Sequence, residues 1–157
     1  MLRIRDAIIK QAVEDYKDIV DGKIKKYRQD CNLRELKRFF ESEYCDTLLA
    51  SAQITGRQIL DYLEEYRVWA YRRRLKKMHK QLAVGSNEDM EEARVILRLL
   101  VEGNVFLSYW GSDFRVCDRL RKMGVDMVVN KSGCAVATLK YNPNINKNRP
   151  PEFTFIP

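Results

Sequence analysis

The sequence predicts a mainly helical α+β protein, four helices followed by a small strand–helix–strand–strand module. Three observations carry that expectation. Apolar residues recur at three- and four-residue intervals over most of the first hundred positions. Helix start and stop signals bracket those stretches. Beyond Gly103-Asn104 the apolar runs shorten to strand length, with glycines between them.

The first helix is expected over 3–20, where Ile4, Ile8, Ala12, Tyr16 and Ile19 share a stripe and Asp21-Gly22 stops it. A basic connector, 23–28, follows. Asn32 reads as an N-cap with Glu35 three residues on, opening a second helix to about Leu49. Its expected buried stripe is Leu33, Leu36, Phe40, Tyr44 and Leu48, with Phe39 beside it. The third helix has the strongest start signal. Thr55 and Gln58 form a capping box, and Ile54 and Ile59 stand at the positions of a hydrophobic staple. It runs to about Leu82, with Gly85 as a C-cap. Ser86 or Asn87 caps the fourth helix, whose expected face is Met90, Ala93, Leu97 and Leu100, and Gly103-Asn104 ends it.

Residues 105–110 suit a buried strand, 113–123 a helix closed by Gly124, and 125–130 with 134–141 a hairpin turning at 131–133. Residues 142–157 read as an extended tail whose Phe153, Phe155 and Ile156 suggest docking. Three segments follow from this: a helical domain over 1–84, a small α/β module over 85–141, and the tail.

Composition narrows the function. With 157 residues, 45% hydrophobic and 32% charged, the chain can bury a core. No apolar run reaches the roughly 18 to 20 residues of a membrane span, and the start of the chain has no uninterrupted apolar signal region. A cytoplasmic protein is expected. Cys31, Cys45, Cys117 and Cys134 show no CxxC spacing and His79 stands alone, so neither a metal nor another cofactor is expected. Phosphate-binding and nucleophile motifs are missing as well, and a non-enzymatic protein is the reading. The net charge of +7 is uneven. Residues 1–84 hold 19 Lys/Arg against 13 Asp/Glu, and 85–157 hold 10 against 9. Such an excess favours polyanions or acidic protein surfaces as partners.

The third helix carries the main candidate site. Ile59, Leu63, Tyr66 and Ala70 form one apolar stripe, and Val68, Tyr71, Leu75, Met78 and Leu82 a second, rotated by roughly a third of a turn at about 100° per residue. The first stripe runs on into Arg73 and Lys77. Arg67, Arg72, Arg73, Arg74, Lys76, Lys77 and Lys80 make seven cations in fourteen positions with no acid among them, beside Tyr66, Trp69 and Tyr71. Cations beside aromatics suit phosphate contact with stacking or cation–π contact. Dipole compensation in a last helical turn accounts for only a few of them. The expected binding residues are Arg67, Trp69, Tyr71, Arg72, Arg73, Arg74, Lys76, Lys77 and Lys80, and His79 is expected at the surface.

A second candidate is the helix at 113–123, with Arg115, Arg119 and Lys122 on one side and Phe114, Cys117 and Leu120 on the other. A basic helix followed by a hairpin resembles the recognition helix and wing of a winged helix. A winged helix has a scaffold helix just before the recognition helix, and residues 105–110 occupy that place here. The alternative is a small α/β cap with its helix on a three-stranded sheet.

Ala12 with Asp15-Tyr16, then Leu36, Phe39-Phe40-Glu41-Ser42 and Leu48, and later Gly56, Ile59 and Leu63 carry a family resemblance. Over 12–65, about a third of the chain, the sequence resembles short uncharacterised proteins encoded by prophages and mobile elements of Firmicutes. Those proteins often have Trp where this chain has Tyr44, and they tend to end near the start of its basic helix. The resemblance implies a phage or mobile-element origin and assigns no catalytic residue. By analogy, small basic proteins of such elements include inhibitors of defence nucleases, anti-CRISPR proteins among them, and transcription regulators. Three readings follow. The first is a protein docking on nucleic acid or on a host nucleoprotein nuclease. The second is a DNA-binding regulator using Arg115, Arg119 and Lys122. The third is a virion assembly protein that self-associates as a homo-oligomer through the two-faced helix.

Overall fold

The computed structural model describes residues 2–23 and 29–140, with side chains from 4–23 and 32–140. The connector at 24–28 and the tail at 142–157 lie outside the described residues. The elements run α1 (Leu2–Val20), α2 (Gln29–Phe40), α3 (Glu43–Leu49), a 3-10 turn (Ala50–Ala52), α4 (Gly56–Leu82), α5 (Asn87–Glu102), β1 (Asn104–Ser108), α6 (Phe114–Met123), β2 (Asp126–Val129) and β3 (Cys134–Thr138). The protein is α+β and mainly helical. No helix of the described residues is long and apolar enough to cross a membrane.

The chain divides into two compact units, and the division falls inside α4, between Arg67 and Val68, rather than near residue 84. In the first unit α1 packs against α2 and α3. Its buried stripe begins at Ile9 and continues through Ala12, Tyr16 and Ile19, while Ile4 is exposed. The single helix expected over 32–49 is broken at Glu41-Ser42. Ser42 adopts an extended backbone and accepts from the Cys45 N–H at 3.1 Å, which starts a new helix, α3. Asn32 sits inside α2 and not at its start. The break turns Cys45 and Leu49 inward, with Phe40, and leaves Tyr44 exposed.

Thr55 and Gln58 make the expected capping box at the start of α4. The Gln58 N–H donates to the Thr55 hydroxyl at 3.2 Å, and the Thr55 N–H donates to the Gln58 side chain at 2.9 Å. Gly56 is required there, because a Cβ would stand 1.9 Å from the Phe40 carbonyl oxygen and 2.9 Å from the Cys45 sulfur. Its N–H is taken by Asp46 at 2.8 Å. This tight seat fixes where α4 leaves the α2–α3 junction.

In the second unit, Ser86 and Asp89 form the capping box of α5, and Gly103 ends that helix with φ +78°. Gly85 is absent from the positive-φ glycines, so it does not act as a left-handed cap for α4. The inner face of α5 is Ala93, Ile96, Leu99 and Leu100, while Met90 and Leu97 are exposed. The three strands form one antiparallel sheet in the order β1-β3-β2. Val105 and Leu107 on β1 and Ala135 and Ala137 on β3 face the core, joined by Val116, Cys117 and Leu120 of α6. Residues 105–110 are thus half-buried rather than buried, because the alternation of β1 points Phe106 outward.

Candidate nucleic-acid interface on α4

Along α4 the buried residues move from Ile59 and Leu63 to Tyr71 and Leu75, the drift that the two apolar stripes predict. At about 100° per residue, Trp69, Arg73, Lys76, Lys77 and Lys80 occupy a sector of about 100° centred opposite Tyr71 and Leu75. With Tyr71 and Leu75 buried, that sector faces outward. Arg73, Lys76, Lys77 and Lys80 are all exposed, and none has a carboxylate partner among the described residues. The Arg73 guanidinium lies over the Trp69 ring, 5.4 Å from its centroid. At 1.5 Å rise per residue the face extends about 16 Å from Trp69 to Lys80. Arg74 is also exposed, at one side of this sector.

The rest of the nine-residue set is turned to structural use. Arg67 is buried at 7% exposure, and its Nη1 donates to Glu64 Oε2 at 3.2 Å. Glu64 Oε1 also takes the Tyr16 hydroxyl and the Lys37 ammonium, each at 3.0 Å. Burial pushes the Glu64 carboxyl up, but the Lys37 hydrogen bond, the Arg67 charge and the Tyr16 hydroxyl outweigh it, and the group sits below its ordinary value of 4.5. Tyr71 is buried, and its hydroxyl would stand 2.7 Å from a Cβ at Gly124, which must therefore be glycine. Arg72 donates to the Leu139 carbonyl at 3.0 Å and to the Leu100 carbonyl. Leu100 is in the last turn of α5, where carbonyls lack intrahelical donors, so Arg72 acts as a side-chain cap. Arg67, Tyr71 and Arg72 thus make contacts within the fold and lie off the exposed cation sector.

The basic side of α6 is also redirected. Arg115 pairs with Asp89 at 2.7 Å, with Glu92 at 3.2 Å and with Glu88 at 3.4 Å, and Arg119 pairs with Glu92. Lys122 pairs with Asp118 at 2.7 Å. Glu92 is only 4% exposed, so the two arginines supply the countercharge its burial requires. Asp89 lies below the usual carboxylate range, first because the Ser86 backbone N–H donates to it and then through Arg115. Arg115 and Arg119 hold α6 to α5, while the Lys122 pair stays within α6, so each of the three candidate cations has a carboxylate partner. The near-balance of 10 cations and 9 acids in residues 85–157 was the available signal for this clasp.

Sequence reasoning missed the outward face of the sheet, where Phe106 and Val128 are among the most exposed large apolar residues. The signal was the alternation within Val105-Phe106-Leu107-Ser108, which points every second residue away from the core. His79 is half-exposed on α4. Among the described residues there is no group of three His, Cys, Asp or Glu able to hold a metal ion. Comparison of the chain with protein-family models, with characterised proteins and with solved structures gives no match in any of the three.

Proposed function

We propose that this is a non-enzymatic binding protein of a phage or mobile element, acting in the host cytoplasm, whose α4 cation face docks on the phosphates of a nucleic acid or nucleoprotein complex. The partner this reading names is a host defence nuclease carrying its nucleic acid, with docking as inhibition. One observation carries it. Arg73, Lys76, Lys77 and Lys80 stand together on one exposed helical sector without carboxylate partners, while Arg67, Arg115 and Arg119 are held in ion pairs and Arg72 by backbone carbonyls. Four cations without carboxylate partners over about 10 Å of helix axis match the repeat of a phosphate backbone, and Trp69 adds a ring able to stack. The resemblance of residues 12–65 to mobile-element proteins supplies the biological setting.

The test is fluorescence anisotropy with duplex and single-stranded oligonucleotides at several salt concentrations. Four phosphate contacts on a duplex give a log–log salt slope of about −3.6. The triple variant Arg73→Glu, Lys77→Glu, Lys80→Glu is expected to lose binding, with unchanged circular dichroism. A folded triple variant that binds as tightly as the parent overturns the reading. A pull-down from host lysate with and without nuclease treatment then separates a nucleoprotein partner from a bare protein.

A further inference from the structure

We infer that the outward face of the three-stranded sheet is a docking surface for a second copy of this chain. On that face Val136 of the central strand lies between Phe106 of β1 and Val128 of β2, its cross-strand partners on either side. The row is open: Phe106 is 78% exposed and Val128 75%. The flanking rows are Asn104, Thr138 and Asp126 at one end and Ser108 with Cys134 at the other. Asp126 is the sole charge among these eight positions, in a chain whose residues are 32% charged. An apolar centre with a polar surround that carries a single charge is the anatomy of a protein interface. A phosphate backbone would find no cation in these three rows.

Shape selects the second copy as the occupant. The large side chain, Phe106, is on one edge strand and the small one, Val128, on the other. A twofold axis running along β3, between two such faces, lays β1 of one copy over β2 of the other. Phe106 of each copy then fills the low ground over Val128 of the other, and Val136 meets its own equivalent, the self-complementarity that an isologous contact requires. Trp110 is 69% exposed and lies at the hairpin end, where a Cβ at Gly133 would meet its ring at 2.8 Å. The same axis brings it over the 130–133 turn of the other copy, where Lys131 is exposed and able to make a cation–π contact. Phe106, Val128, Val136 and Trp110 together leave on the order of 400 Å² of apolar surface open. With the flanking polar rows this approaches the roughly 800 Å² per partner of a standard interface. The surface shares no residue with the α4 cation face, so either can fail without the other.

The axis also makes a positional statement about Cys134, which is exposed and lies on β3, so that each copy presents it to its own equivalent. Sheets pack about 10 Å apart, which suits a short bifunctional maleimide. The experiment is sedimentation of the full chain over a concentration series, with thiol cross-linking in a Cys31→Ser background. A mass rising from 18.6 kDa to twice that value with concentration is expected. So is a cross-linked dimer that Cys134→Ser abolishes. The double variant Phe106→Ser, Val128→Lys should remain at 18.6 kDa with unchanged circular dichroism. The charge variants Arg73→Glu and Lys77→Glu should still dimerise. A strict monomer at high concentration, or a dimer that survives the double variant in folded protein, overturns the inference. Should the double variant not fold, the Cys134 cross-link decides: its absence in the parent overturns the inference in the same way.

Discussion

At the scale of single residues, the arginines of this protein divide by what lies across from them. Arg67 is buried against Glu64, so neutralising Glu64 removes the countercharge of a desolvated guanidinium. Glu64→Gln is expected to cost roughly 1–3 kcal/mol, read by urea denaturation at pH 7. The pH dependence follows from the depressed carboxyl. Its contribution is complete above the ordinary value of 4.5 and is lost as the pH falls through the lower folded value. The gap between parent and variant should therefore narrow below about pH 4, and a gap that widened there would contradict the assigned ion pair. The thiols divide in the same way. Burial, helped by the Asp46 carboxylate, pushes Cys45 up to about 11, and burial then Asp113 push Cys117 up as well. Since thiolates are the reactive form, Ellman's reagent at pH 8 should titrate one thiol per chain in dilute Cys31→Ser protein, the exposed Cys134, and three after denaturation. Rapid reaction of Cys45 in folded protein would show that its burial is wrongly assigned.

At the scale of elements, local chemistry set the helix starts. The Thr55–Gln58 and Ser86–Asp89 boxes both satisfy N–H groups that a helix start leaves without partners. Thr55→Ala is expected to cost about 1 kcal/mol and to lower Tm by roughly 2–4 °C. An unchanged melting curve would mean that the seat of Gly56 on the Phe40 carbonyl, and not the cap, fixes this end of α4. The break between α2 and α3 was harder to read. Leu36, Phe40, Tyr44 and Leu48 keep helical spacing straight through it, and the periodic signal hid the stop. Ser42 was the available clue, since its hydroxyl both donates to the Phe39 carbonyl and caps the Cys45 N–H. For α4, the rotation of the apolar stripe was visible in the sequence. The structure gives its reason: residues up to Arg67 belong to one compact unit and residues from Val68 to the other.

At the scale of the whole molecule, the charge asymmetry is the property that matters for binding. Most of the +7 lies in residues 1–84, and within it Arg73, Lys76, Lys77 and Lys80 of α4 form one exposed group without carboxylate partners. The salt slope of the anisotropy titration reads those contacts directly, since only cations that displace counterions from phosphate contribute to it. Net charge would instead act on the encounter rate, which falls with ionic strength for any basic surface. The second half of the chain, with 10 cations against 9 acids, is close to neutral, and the carboxylates of α5 hold the arginines of α6.

The sequence by itself determined where most helices and strands lie and that α4 changes its buried side, because caps, turns and periodicity act between residues a few positions apart. Only the tertiary structure decided which cations are available. Arg72 meets Leu139 across 67 positions, and Arg119 meets Glu92 across 27. Electrostatic pairing depends on distance in space, so no local pattern distinguishes an arginine that closes a fold from one that is left facing outward.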